Sequence, residues 1–164
     1  MARIEKSIEV QVPLRTCYDQ WTQFEEFPRF MEGVTEVRQL DDTHLHWCAT
    51  VGGKEVEWDA EIVEQIPDRR ILWRSTTGKP NAGTVEFESV SGECTRVRLA
   101  MEYETEGVVE KVGDVLGVTS HRVEKDLERF KQFIEQRGVE TGEWRGEVAG
   151  GRMLDGSGTQ PRQR

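Results

Sequence analysis

The sequence predicts an α+β domain: a curved antiparallel sheet, two short helices after the first strand, and one long C-terminal helix packed across the sheet. Apolar and polar residues alternate along several short segments, which is typical of strands with one wet face. Short turns join successive strands, so neighbouring strands are expected to run antiparallel. A single long helical pattern follows the last strand, and it is the only large apolar element left to cover the sheet.

Length and charge restrict the class of protein. The chain has 164 residues, enough for one domain with a sizeable core. Its formal net charge of -9 argues against a nucleic-acid backbone or an anionic membrane surface as the main partner. No apolar run approaches the roughly 20 residues that span a bilayer, and no signal-peptide core follows Met1 to Lys6. We therefore expect a cytoplasmic protein without stable membrane insertion.

The N-terminal part of the chain contains a strand followed by a block of aromatic residues. Residues 3–12 alternate in polarity, and Pro13 then ends the strand because it lacks a ladder donor. Tyr18, Trp21 and Phe24 follow at helical spacing, until Pro28 interrupts the pattern. This predicts two short helices that meet at a corner. Such helices are too short to be stable alone, so the sheet must hold them.

Alternating segments continue from this corner to about residue 104. The remaining predicted strands span residues 43–51, 55–62, 70–75, 85–87 and 95–103. Gly52 and Gly53 predict a hairpin turn between the first two of these strands. The segment from Thr77 to Gly83 is rich in turn residues and predicts a loop.

The C-terminal part divides into a helix and a tail. Apolar residues recur every three or four positions from Gly107 to Arg137, which predicts one amphipathic helix. Gly113 and Gly117 each cost up to about 1 kcal/mol there, so the first turns are expected to be loose. Few apolar residues follow, and this predicts a domain over residues 1–138 with a disordered tail over 139–164. Docking of the tail through Trp144 is the alternative.

Three segments carry a resemblance to a known family. They are the block VPLRTCYDQWTQFEEFPRFM, the hairpin containing VEWDAEI, and the terminal helix VEKVGDVLG…LERFKQFIE. Together they resemble the START-like, Bet v 1-like helix-grip superfamily over about residues 3–138. Within it they are similar to the bacterial polyketide cyclase/dehydrase and lipid-transport group (SRPBCC proteins), including its coenzyme Q-binding relatives. The resemblance implies a pocket for a lipid, an isoprenoid quinone or a polyketide-like molecule.

The candidate ligand-binding residues are those that the strand pattern places on apolar faces, with one residue each from the helix and the corner. They are Trp47, Trp58, Phe87, Leu99, Met101, Tyr103, Leu116 and Phe30. Core packing is the alternative for each of them, since aromatic stripes are normally core. The face of Trp73 stays undecided, because Leu72 beside it is apolar too.

The expected function follows from the hydrophobic pocket that the resemblance implies. We expect binding of a small hydrophobic ligand between sheet and helix, with cyclisation or dehydration of a polyketide in the same cavity as the alternative. A protein-interaction module docking through Phe27 to Met31 is a third hypothesis. Tyr103 and Arg74 are the nominated catalytic residues for that alternative. The resemblance implies that polyketide-cyclising members orient their substrate with such Tyr and Arg groups, but no motif of this sequence maps residue by residue onto theirs. The sequence alone identifies no acid–base pair that faces the cavity. It also leaves the oligomeric state open.

Neither a metal nor a cofactor is predicted. His44 and His46 lie at strand spacing opposite Trp47, but such a pair needs a third ligand, and nothing adjacent in sequence supplies one beyond the nonspecific Asp41 and Asp42. His121 lies near Ser120 without an acidic residue placed to complete a triad. The three cysteines are interpreted as small buried hydrophobes in a reducing compartment. They are Cys17, Cys48 and Cys94.

Overall fold

The computed structural model describes residues 2–51, 53–78, 80–103 and 112–154, with side chains of the long helix described from Ser120 onward. The strands are β1 (Ala2–Val10), β2 (Val34–Gln39), β3 (His44–Val51), β4 (Lys54–Ile66), β5 (Arg70–Ser75), β6 (Asn81–Ser91), β7 (Cys94–Tyr103), β8 (Val148–Ala149) and β9 (Arg152–Met153). The helices are α1 (Leu14–Trp21), a 3₁₀ helix (Phe24–Arg29) and α2 (Val112–Arg137). The predicted helical residues before Val112 lie outside the described residues.

The strands form one antiparallel sheet in the order β1-β7-β6-β5-β4-β3-β2, with the short β8 added to β4 and β9 added to β8. Register shifts in β2, β4 and β6 mark irregularities of the kind that bend strands. The predicted fold class is confirmed: two short helical segments follow β1, and a long helix follows the last long strand. No helix in the described part of the chain is long and apolar enough to cross a membrane.

The long helix α2 lies along the edge strand β1. The backbone N–H of Gln11 donates a hydrogen bond of 2.7 Å to the carboxylate of Glu135. The ammonium group of Lys131 donates one of 3.0 Å to the backbone carbonyl of Glu9. Polar side chains of α2 therefore satisfy backbone groups at the free side of this strand.

The same helix contacts the chain that leads into the opposite edge strand, β2. The backbone N–H of Glu32 donates to the Asp126 carboxylate at 3.2 Å, and Arg129 lies 3.4 Å from the Glu32 carboxylate. On β2 itself, the backbone N–H of Gln39 donates to Glu25 of the 3₁₀ helix at 3.0 Å. Helical side chains thus hold both edges of the sheet.

The aromatic block packs between the sheet and α2. All five of its aromatic side chains are buried: Tyr18, Trp21, Phe24, Phe27 and Phe30. Phe130 of α2 lies 4.8 Å from Trp21 and 5.4 Å from Phe30, measured between ring centroids. The two short helical segments are therefore stabilised by burial against larger elements rather than by their own length.

The predicted disordered tail is wrong for residues 139–154, here called the docked segment. Trp144 is 1 % exposed and Val148 is fully buried. Thr141 exchanges two hydrogen bonds with the Gln20 side chain, at 2.9 and 3.0 Å. Val148 pairs with Gln65 of β4. Two buried apolar side chains and these bonds offset the entropy of ordering the segment, so the domain extends beyond Gly138.

An ion cluster around the buried Asp19 joins the docked segment to α1. Arg145 forms ion pairs with Asp19 and, at 2.6 Å, with Asp68. Its guanidinium also lies 5.5 Å from the ring centroid of Tyr18. Asp19 has no solvent exposure. Loss of hydration raises the pKa of Asp19 to about 6, and the attraction of Arg145 only partly opposes this rise.

Candidate functional site

The face of the sheet that is turned toward α2, here called the inner face, has two unlike ends. At one end the strands pack against the aromatic block, and their side chains are buried. At the other end lie five large side chains that are only partly buried, here called the aromatic wall. They are Trp47, Trp58, Trp73, Met101 and Tyr103. A concave surface of partly covered aromatic groups is the usual lining of a small-molecule site.

Strand register builds the aromatic wall. Trp47 of β3 lies opposite Trp58 of β4, and their rings stack with centroids 5.7 Å apart and planes 6° apart. Phe27 of the aromatic block lies 5.8 Å from the Trp47 ring. The wall is therefore continuous with the core, which fixes the orientation of its rings.

Smaller side chains lie between the large ones. Ala60 pairs with Ser75, and Asn81 pairs with Tyr103, along one row that crosses β4 to β7. The backbone N–H of Asn81 donates to the Ser75 hydroxyl at 3.0 Å, which joins the two halves of the row. Small residues here recess the middle of the wall between the Trp47–Trp58 stack and Tyr103.

Gly83 permits the observed position of Trp73. The two residues are paired between β5 and β6. A Cβ on Gly83 would lie 2.4 Å from the Trp73 ring and 2.9 Å from the Ala100 carbonyl oxygen. Only glycine lets the indole lie directly over the neighbouring strand.

Replacing Gly83 by alanine is expected to lower the free energy of unfolding by about 1 to 3 kcal/mol, because the added methyl must displace the Trp73 ring. Urea denaturation measures the change. Gly92→Ala is the matched control, since its Cβ would meet nothing within 4 Å. Equal stability of the two variants would show that Trp73 moves without cost.

Two polar atoms of the aromatic wall are buried without a hydrogen-bond partner among the described residues. They are the indole Nε1 of Trp47 and the hydroxyl oxygen of Tyr103. A buried polar group left unpaired costs about 1 to 3 kcal/mol. A ligand with a hydrogen-bonding oxygen would remove that cost, so both atoms fit a binding site.

The eight candidate ligand-binding residues fall into three groups. Trp47, Trp58, Met101 and Tyr103 lie in the aromatic wall. Phe30, Phe87 and Leu99 are buried in the core; Phe87, for example, packs edge-on against Tyr18 at 5.3 Å. The side chain of Leu116 lies outside the described residues.

Arg74, the other nominated catalytic residue, does not lie at the aromatic wall. Its side chain is 64 % exposed and pairs with Glu61 at 2.9 Å. Trp73 lies opposite the buried Ile62 and so faces inward, which turns Arg74 to the outer face of the sheet. Arg74 cannot reach a ligand held between the sheet and α2.

Sequence reasoning also missed part of the wall. Trp73, Ser75, Asn81 and Gly83 were not among the candidates, although all four lie on its face. The available signal was Gly83, because a glycine inside a strand pattern often marks a close approach by another group. The others depend on a register that the sequence does not contain.

Comparison with known proteins adds a family and a fold. The model of the family described as polyketide cyclase/dehydrase and lipid transport matches residues 10–135. A sequence relative is an uncharacterised 17.2 kDa protein from the melC2–rnhH intergenic region of Streptomyces lincolnensis. It is 51 % identical over 149 residues, which cover 90 % of this chain and 99 % of the relative.

Two solved structures illustrate the similarity in fold. The Zhui aromatase/cyclase of a Streptomyces species aligns with a TM-score of 0.72 at 14 % identity, over 83 % of this chain and 94 % of its own. A START superfamily protein of Mycobacterium smegmatis aligns with a TM-score of 0.70 at 14 % identity, over 82 % and 98 %. Identities this low show a common architecture and carry no chemistry.

Proposed function

Because this chain belongs to the polyketide cyclase/dehydrase and lipid-transport family, we propose that it binds a small hydrophobic ligand between the sheet and α2, against the aromatic wall. The observation that carries the proposal is the contrast between the two ends of the inner face. Packing is complete beside the aromatic block, whereas the wall keeps large apolar side chains partly exposed. Exposed aromatic surface of this kind is stabilised when a ligand covers it.

The chemistry of the wall favours one class of ligand over others. Stacked indole rings suit a flat, unsaturated molecule. The indole N–H of Trp47 and the hydroxyl of Tyr103 have no hydrogen-bond partner among the described residues, so both are available as donors to a ligand. Carbonyl oxygens on a flat apolar frame match both features, so a quinone or a polyketide-like molecule fits better than a plain alkyl chain.

Cyclisation or dehydration of a polyketide is the second candidate function. Its support is the buried hydroxyl of Tyr103, which has no hydrogen-bond partner among the described residues. Such a hydroxyl would donate to a substrate carbonyl and stabilise the enolate that forms from it. With Arg74 on the outer face, Tyr103 is the one nominated catalytic residue that remains at the wall.

Binding is tested by fluorescence titration with three probes: decylubiquinone, menadione and palmitate. We expect saturable quenching of tryptophan emission by the two quinones and weaker binding of palmitate. Tyr103→Phe keeps the ring and removes only the hydroxyl, whereas Trp47→Phe removes the indole N–H together with part of the ring, so each should weaken quinone binding by at least about three- to tenfold. Tyr103→Phe should not lower the stability of the free protein, since it removes a buried hydroxyl that has no hydrogen-bond partner among the described residues. Trp47→Phe should lower it, because the smaller ring loses contact with Trp58 and Phe27.

Arg74→Ala is the matched control, because it alters the outer face of the same sheet. It should leave quinone affinity unchanged. Native mass spectrometry of protein from its own host, followed by lipid extraction, identifies the natural ligand. Absence of saturable binding for all three probes, with no co-purified ligand, would contradict the proposal. Turnover of a poly-ketone that is lost in Tyr103→Phe would favour the cyclase.

A further inference from the structure

A second cluster of chemically active side chains lies on the outer face of the sheet, away from α2. Glu36 of β2, Cys48 of β3 and Glu57 of β4 are paired directly across three neighbouring strands. His46 lies two residues before Cys48 and so projects from the same face. Ligand atoms of His46, Cys48 and Glu57 all lie within 4.8 Å of one another.

We propose that His46, Cys48 and Glu57 form a Zn²⁺-binding site, with Glu36 within reach as the fourth ligand. A tetrahedral zinc ion with bonds of about 2.0 to 2.3 Å holds its ligand atoms about 3.3 to 3.8 Å apart. His46 Nε2 lies 2.8 Å from a Glu57 oxygen, and Cys48 Sγ lies 3.8 Å from a Glu36 oxygen. These separations are close to the tetrahedral values, and the strand pairing already places the side chains beside one another.

Asp59 orients the imidazole for this role. Its carboxylate lies 2.6 Å from His46 Nδ1, on the side of the ring opposite Glu57. A carboxylate that accepts from Nδ1–H leaves Nε2 as the metal-binding nitrogen, which is the usual arrangement around histidine ligands of zinc. An acidic cluster alone would not supply this pair of nitrogen and sulfur ligands.

The ligand types select the metal. Thiolate and imidazole suit zinc and related transition metals, whereas magnesium and calcium prefer oxygen ligands throughout. On binding, the Cys48 thiol and a protonated imidazole each release a proton to solvent, and no electron is transferred. Arg38 lies 3.9 Å from Glu36 and partly balances the negative charge of the ligand set.

The site is separate from the ligand pocket, since it lies on the opposite face of the same strands. A bound ion would join β3 to β4 and, through Glu36, to the edge strand β2. Its expected effect is therefore on the stability of that part of the sheet, as for any ligand that binds only the folded protein.

Tag-free full-length protein titrated with Co²⁺ tests the proposal. We expect one equivalent to produce a thiolate-to-cobalt charge-transfer band, and Zn²⁺ to displace it. Cys48→Ser should abolish the band, and His46→Gln and Glu57→Gln should each weaken Zn²⁺ binding at least tenfold, as measured by calorimetry. His44→Gln is the matched control: His44 lies on the same strand and face but pairs with Asp41 at 2.9 Å.

A thiol measurement gives an independent readout. Cys17 and Cys94 are buried, whereas Cys48 is only partly covered. N-ethylmaleimide should therefore modify Cys48 in the native protein, and Zn²⁺ should protect it. The proposal is overturned if Co²⁺ gives no charge-transfer band, if Zn²⁺ leaves the labelling unchanged, or if His44→Gln weakens binding as much as His46→Gln does.

Discussion

Replacing Trp144 by alanine is expected to lower the free energy of unfolding by about 3 to 5 kcal/mol, the usual cost of truncating a fully buried tryptophan. The side chain is 1 % exposed although it belongs to the docked segment. Gly146 packs so closely on the indole that a Cβ there would lie 2.6 Å from it. Urea denaturation followed by circular dichroism measures the loss.

Leu154→Ala is the control for this change. Leu154 ends the docked segment and is 39 % exposed, so its truncation should alter stability by less than about 0.5 kcal/mol. A loss below about 1 kcal/mol for Trp144→Ala would mean that the docked segment does not contribute to the folded domain.

Replacing Arg145 by methionine is expected to lower the free energy of unfolding by about 3 to 5 kcal/mol at neutral pH. The change leaves the buried Asp19 carboxylate with only the exposed Arg15 guanidinium, 3.6 Å away, and a buried charge that loses its main partner has a cost of about this size. Methionine keeps much of the apolar contact with the Tyr18 ring, so the loss reports mainly on charge.

The cost of Arg145→Met should shrink toward pH 4. In the folded protein the pKa of Asp19 is raised to about 6 by burial, above its ordinary value. A carboxyl group shifted in this direction stabilises the fold at low pH, and that contribution is lost as the pH rises through about 6. Removal of the cation raises this pKa further, so the neutral acid tolerates the substitution better than the carboxylate does.

Denaturation of both proteins at about pH 4 and pH 7.5 measures this difference. Asp126 also has a pKa raised to about 6 by burial. It titrates in both the wild-type protein and Arg145→Met, so its contribution to the difference in stability cancels. Arg152→Met is the control, since Arg152 lies exposed in β9. A loss of equal size at both pH values would contradict the assignment of the cost to the Asp19 charge.

The order of elements could be predicted because each strand carries its own alternation and each turn is short. The division of the inner face into a fully packed end and a partly exposed end could not be predicted. Phe87 and Met101 share that face by parity, yet Phe87 lies under the aromatic block and Met101 lies beyond it. Which strand residues a helix covers depends on how far the helix reaches along the sheet, and parity contains no such distance.

Two other misses have a similar origin. Trp144 is a single aromatic in a polar window, so an argument from composition predicts disorder, although one indole buries a large apolar area when it docks. Arg74 follows a tryptophan whose face was undecided, and only the pairing of Trp73 with Ile62 settles it. The outer-face cluster could not be predicted from the residues adjacent to His46 in sequence, because Glu57 lies on the neighbouring strand.

The bonds from helical side chains to the edge strands have a consequence for behaviour at high concentration. An uncovered edge presents free backbone donors and acceptors to a strand from another molecule, which is a common start of aggregation. Here the carbonyl of Glu9 and the N–H of Gln11 are taken by α2, and the N–H of Gln39 is taken by Glu25. The helical segments that pack on the inner face thus also protect these edge positions from intermolecular strand addition.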